Sequence, residues 1–300
     1  MDVWWGVDAE YSAARADEND GECNDMPKPV KRVSEVRPKQ AVFAASIRQF
    51  PRRLVLISEG DSWFSYPLNA TIADDIEMMS DFSMLRLEHD GDQARQILGA
   101  GSPQLRKLRY YLGRYPVDAL LLSAGGNDLI KQELGRILER KAPGAPWQGA
   151  VKLAVLTSVL DGIVDAYARL LDSRDALRPD CTVFAHSYCY LVRNGRKATG
   201  PFGLGEAGPW VRPVLVARGI EPETEGVQLV HYLIDELHAR LRSLSATRAR
   251  FLVVDSRAEL PVDEVNWADE IHPSGTGFRR LAEQCWRPAL ARQFPARGFG

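Results

Sequence analysis

From Arg53 onward, short and nearly uniformly apolar runs alternate with longer amphipathic segments. The runs are Leu54–Ser58, Met84–Leu87, Ala119–Ser123, Thr182–Ala185 and Phe251–Asp255. Runs of this length and composition suit strands buried on both faces of a parallel sheet. Between them Thr71–Met79, Pro103–Gly113, Ala150–Asp172 and Glu223–Ser245 read as helices, as does Gly275–Arg292 after the last run. Strands alternating with helices predict a three-layer α/β/α domain over residues 54–300, its strands joined by right-handed crossovers. No internal repeat is visible.

Three stretches depart from this rhythm. Residues 1–27 carry eight acids and one Arg, whereas 28–53 carry eight Lys/Arg and one Glu, with prolines at 27, 29, 38 and 51. With little periodic apolar pattern, 1–53 reads as a two-signed arm, either mobile or wrapped on the domain. Its Trp4-Trp5 pair is either a docking anchor or a feature of the tail without function. Residues 131–149 and 188–222 are longer than ordinary connections and follow the third and fourth strands. They leave the carboxyl edge of the sheet, where α/β folds place ligands, and so are candidate pocket walls rather than plain surface loops.

Composition narrows the function classes. With 38 Lys+Arg against 40 Asp+Glu among 300 residues, the formal charge is -2, which disfavours a basic nucleic-acid binder. The hydrophobic fraction of 45% and charged fraction of 26% are those of a folded globular protein, not of a disordered one. The cysteines at 23, 181, 189 and 285 match neither a zinc knuckle nor a disulfide framework and read as reduced. No apolar run is long enough to form a transmembrane segment. The acidic first twenty residues lack the basic and apolar regions of a secretory signal, so the expected location is cytoplasmic. Oligomeric state is open.

The chemistry-bearing residues follow the strands. The first run leads into Glu59-Gly60-Asp61-Ser62-Trp63, the second into His89-Asp90-Gly91-Asp92 and the third into Ala124-Gly125-Gly126-Asn127-Asp128; Asp269-Glu270-Ile271-His272-Pro273 comes after the last. Any one of these clusters is an ordinary turn or helix cap. Four in this order, each near a strand end, are a pattern. The pattern resembles the SGNH (GDSL-type) hydrolases over about Leu54 to Leu290. The resemblance implies a flavodoxin-like sheet of five parallel strands, no metal or other cofactor, and a small-molecule or lipid ester as substrate. It places the nucleophile on Ser62, the oxyanion glycine on Gly91, the oxyanion asparagine on Asn127 and the Asp-x-x-His pair on Asp269 and His272. Gly91 is identified mainly by position.

Elementary chemistry leads to the same roles. A serine hydroxyl needs an adjacent base to become a nucleophile at neutral pH, and an imidazole titrates near that range. Asp269, three residues before His272, can accept the Nδ1–H and leave Nε2 facing Ser62. Charge developing on a carbonyl oxygen needs donors already in place, namely the backbone N–H groups of Ser62 and Gly91 and the Asn127 amide. This predicts an esterase, deacetylase, lysophospholipase or thioesterase acting through an acyl-enzyme.

Neighbouring residues have more than one reading. Glu270 competes with Asp269 as the orienting acid, while Asp61 and Asp128 read as backbone-bonding turn residues. Trp63, His186 and Trp210 are candidate pocket residues; packing explains the two tryptophans equally well, and for His186 a packed or solvated ring is the favoured reading. His231 and His238 read as surface residues and lack the spacing of a zinc site. Two rival functions remain. A two-metal phosphoesterase also uses Gly-Asp and Gly-Asn turns, but metal-ligand histidines are scarce here. A non-catalytic flavodoxin-like binding module is unsupported by any phosphate-binding glycine motif and leaves His272 without a role.

Overall fold

A computed structural model describes residues 33–130, 132–199 and 206–296. Five parallel strands form the central sheet: β1 (Leu54–Gly60), β2 (Phe82–Arg86), β3 (Ala119–Ser123), β4 (Thr182–His186) and β7 (Phe251–Val254). Their order is β2-β1-β3-β4-β7, the flavodoxin-like arrangement, with a switch point between β1 and β3. A separate antiparallel pair, β5 (Ala198–Thr199) and β6 (Glu206–Ala207), lies inside the second insertion.

Burial follows position in the sheet. Every residue of the inner strands β1, β3 and β4 is buried, as uniformly apolar runs require. The edge strand β2 alternates between buried and half-buried residues: Arg86 is half-buried, the buried Ser83 shares a hydrogen bond with Ser46, and the uneven cover is why its first residues escape a search for apolar runs.

The helices, in chain order, are α1 (Val33–Gln49), α2 (Ile72–Met79), α3 (Ala94–Ile97), α4 (Pro103–Arg114), α5 (Gly126–Leu129), α6 (Gln132–Ile137), α7 (Leu153–Leu177), α8 (Arg212–Ala217), α9 (Glu225–Thr247), α10 (Gly275–Leu281) and α11 (Arg287–Gln293). One layer packs α3 and α4 on α7 and α7 on α9; the other packs α2 on α10 and on the π-helical turn Ala282–Trp286. Cap residues set several starts: Thr71 forms a reciprocal capping box with Asp74, and Ser102 and Ser274 cap α4 and α10. The architecture is therefore the expected three-layer α/β/α domain. Among the described residues no helix is long and apolar enough to cross a membrane.

The chain divides into residues 1–38 and a compact unit from Lys39. Of the first, only 33–38, the start of α1, is described; Trp4, Trp5 and Cys23 lie outside the described residues. Within the compact unit, the rest of α1 buries Phe43 edge-on against Tyr115, and Ser46 shares a hydrogen bond with Ser83 of β2. A helix with so few apolar anchors among basic residues leaves little periodic signal. His231 and His238 are half-buried rather than surface residues, because His231 stacks on Tyr190 and His238 lies 3.8 Å from Asp255.

Candidate active site

β1 ends at Gly60, which pairs with Ser123 of β3 and has φ +141°, a conformation suited to glycine. The Asp61 N–H donates to Ser123 O (2.8 Å), and Phe64 and Ser65 both donate to Asp61 O, closing one tight turn. Ser62 sits in that turn with its hydroxyl 2.9 Å from His272 Nε2. His272 Nδ1 is in turn 2.8 Å from Asp269 Oδ2. A carboxylate only accepts, so Nδ1 carries the proton and Nε2 is left to accept from Ser62.

Asp269 and His272 share a folded loop. Asp269 Oδ1 accepts the N–H groups of Ile271 and His272, both at 2.9 Å, and the Ala268 N–H closes onto His272 O at 3.0 Å. Burial alone would raise the Asp269 carboxyl. Its hydrogen bond and charge interaction with His272, with the two backbone bonds, outweigh this and hold it below the usual carboxylate range. Trp63 fastens the serine turn to this loop, its indole N–H donating to Ile271 O at 3.0 Å.

Tyr66 escaped the sequence reading. Its hydroxyl donates to Asp269 Oδ2 (2.9 Å) while its ring stacks on the His272 imidazole with centroids 4.1 Å apart. Burial, then the Asp269 charge, pushes its phenol well above the ordinary range, so it remains a donor. Only the Ser-Asp-His folding reveals it, since a tyrosine after a Trp-Phe-Ser run carries no spacing signal.

A small cavity of about 20 Å³ lies beside Ser62 and Asn127, walled by Trp63, Ile130, Tyr188 and Leu191 and closed by Ile234 and Ile271. The second insertion reaches it through Tyr188 and Leu191, whereas no described residue of 131–149 does. Asn127, at the start of α5, donates one amide N–H to Asp92 O (3.0 Å), which ties it to the turn containing Gly91. Gly91 has φ +82° and is not part of the cavity wall. Among the described residues neither the Ser62 nor the Gly91 backbone N–H has a protein acceptor.

His186 is enclosed in the core and does not reach the cavity, unlike the pocket position anticipated for it. Its Nε2 meets Ser123 Oγ at 2.9 Å; that hydroxyl donates to Asp61 Oδ1 (2.6 Å), and Asp61 Oδ2 accepts from Tyr188 OH (2.5 Å). Asp61 thus holds its own turn through the Trp63 N–H and also anchors a buried network under Ser62. Asp128 does not bond its own turn: its carboxylate accepts the N–H groups of Ala94 and Arg95 at the start of α3, and the Arg95 side chain. Burial pushes the His186 imidazole down to about 3 from 6.5. Across that window the unfolded chain binds a proton that the folded one does not, so stability rises with pH. Urea unfolding midpoints are expected to fall as pH drops from 7 to 4, with on the order of 5 kcal/mol at stake across the full window. His186→Gln should flatten the curve; an unchanged slope would refute the assignment.

Glu270 does not orient the histidine. Its carboxylate is buried among the backbone N–H groups of Gly195, Trp210, Val211 and Arg212, while Asp269 holds the imidazole. Trp210 lies edge-to-face with His272, ring centroids 5.5 Å apart. Cys181 and Cys189 are buried free thiols, each pushed up chiefly by burial. No group of three or more His, Cys, Asp and Glu side chains among the described residues is placed to hold a metal ion.

No protein-family model matches the chain, and no curated protein matches it. Similar solved structures include the lipase Lip_vut3 from a goat rumen metagenome, 14% identical, covering 82% of this chain and 98% of that one with a TM-score of 0.49. The family 3 carbohydrate esterase of Clostridium thermocellum is 14% identical over 82% of this chain and 100% of its own, with a TM-score of 0.46. A protein described as a GDSL-like lipase, from Bacteroides ovatus, is 12% identical with a TM-score of 0.47; the match covers 81% of this chain and 54% of that one.

Proposed function

We propose that this protein is a serine hydrolase of the SGNH type that cleaves carboxylic esters through an acyl-enzyme. The observation that carries the reading is the continuous hydrogen-bonded line from Ser62 Oγ through both nitrogens of His272 to Asp269. Ser62 Oγ attacks the ester carbonyl carbon as Nε2 takes its proton, and Asp269 stabilises the resulting imidazolium. The carbonyl oxygen becomes an oxyanion, for which the Ser62 and Gly91 N–H groups and the second amide N–H of Asn127 are available donors. His272 then returns the proton to the leaving alkoxide, and an alcohol departs. Water attacks the acyl-enzyme, losing its proton to Nε2; the acid is released and the Ser62 hydroxyl is restored.

The reading is tested by intact-mass spectrometry after incubation with a fluorophosphonate. One adduct per chain is expected on the wild type and none on Ser62→Ala; no adduct on the wild type, or one on both, would overturn it. Asn127→Ala should lower kcat by about 10²–10³-fold with a smaller effect on KM, because the donor acts mainly on the transition state. The cavity is apolar and only slightly larger than the roughly 10–15 Å³ that a single water needs. A short acyl group, of acetyl size, is therefore proposed, and kcat/KM for p-nitrophenyl esters should fall from acetate to octanoate. A rising series would refute this.

A further inference from the structure

Glu270 follows Asp269 directly, yet its fully buried carboxylate turns away from the imidazole and receives four backbone N–H bonds. Gly195 (3.1 Å) and Arg212 (2.9 Å) donate to Oε1; Trp210 (2.6 Å) and Val211 (2.7 Å) donate to Oε2. All four donors belong to the second insertion, whose described residues otherwise form loop, the two-residue antiparallel pair β5–β6 and the short α8. A buried carboxylate that leaves water for four charge-assisted bonds defines the backbone it binds, since each lost bond would strand a donor or a charge. Arg193 supplies nearby positive charge, its guanidinium held on the carbonyls of Leu191 and Pro222.

The clamp and the base are coupled by one side chain. The main chain of Trp210 is tied to residue 270, and its indole rests edge-to-face on the imidazole of residue 272. His272 is then bounded by Tyr66 stacked on its ring, by Trp210, and by Asp269 at Nδ1. We propose that Glu270 is a positioning residue that fixes the backbone of Gly195 and of Trp210–Arg212 so that Trp210 holds the His272 imidazole in line with Ser62. It acts through Trp210, with no part in proton transfer. The proposal rests on the reading of His272 as the base.

Coupling of this kind makes losses non-additive. Glu270→Gln keeps the volume but presents an NH₂ group to backbone donors. It should lower kcat/KM for p-nitrophenyl acetate by about 10–10²-fold, the scale of a small misplacement of a reacting group. Trp210→Ala should give a loss of similar size, and the double variant should lose no more than the worse single one. Losses that multiply, or an unaffected kcat/KM in Trp210→Ala, would overturn the proposal. Imidazole ¹⁵N and ¹H shifts of His272 provide a readout that needs no turnover: both single variants should move them in the same direction. Unmoved His272 signals in Trp210→Ala would refute the coupling even if Glu270→Gln fails to fold. Wild-type turnover that survives Ser62→Ala would instead defeat the hydrolase reading, and the shifts would still decide the clamp.

Discussion

Ser62→Ala is expected to lower kcat for p-nitrophenyl acetate by on the order of 10⁴-fold or more, with the urea midpoint almost unchanged. The change removes one oxygen. The oxygen is the atom that would attack the carbonyl, and no other hydroxyl in the described structure meets His272 Nε2. The rate left behind would come from the oxyanion donors and substrate binding alone. Stability is spared because the turn is held by other groups: the Asp61 N–H on Ser123 O, the Asp61 carbonyl receiving Phe64 and Ser65, and Trp63 on Ile271 O. Near-wild-type turnover in a folded Ser62→Ala protein would reject the mechanism outright.

Gly60→Ala should have the largest effect on stability, a loss of roughly 3 kcal/mol or more, read from urea denaturation or from failure to yield folded protein. A Cβ at residue 60 would stand 2.1 Å from the Ser123 carbonyl oxygen and 2.7 Å from its carbonyl carbon and its nitrogen. All three are backbone atoms of the neighbouring inner strand, so no side-chain rotation relieves the overlap. The φ of +141° adds strain for any residue with a Cβ. Parting β1 from β3 at this point would also shift Ser62, two residues on, away from His272. A variant within about 0.5 kcal/mol of the wild type would show that the strands separate easily there.

Much of the fold was legible because the inner strands of a parallel sheet must be apolar on both faces. Ala119–Ser123 is bounded in the structure as its composition predicts, and β1 and β4 run only slightly further than their apolar runs. Phe82 and Ser83 were missed because an edge strand is covered unevenly. Helix α1 was missed because its described side chains bury chiefly Phe43 amid basic and small residues. The π-helical turn at Ala282–Trp286 leaves no mark in a helical pattern that continues through it.

The sequence by itself determined the inner strands, the helix caps and the residue types that an acid, a base and a nucleophile require. Those are local properties: apolar composition, a side chain three residues from the amide it caps, and an aspartate three residues before a histidine. Only the tertiary structure decided which groups meet across the chain. It brought Ser62 to His272 and Tyr66 to Asp269, moved His186 into the core, and turned Glu270 toward the backbone of Trp210, Val211 and Arg212. The physical reason is that hydrogen bonds and ring contacts act over a few ångströms in space, whereas their partners here stand up to 210 residues apart in the chain.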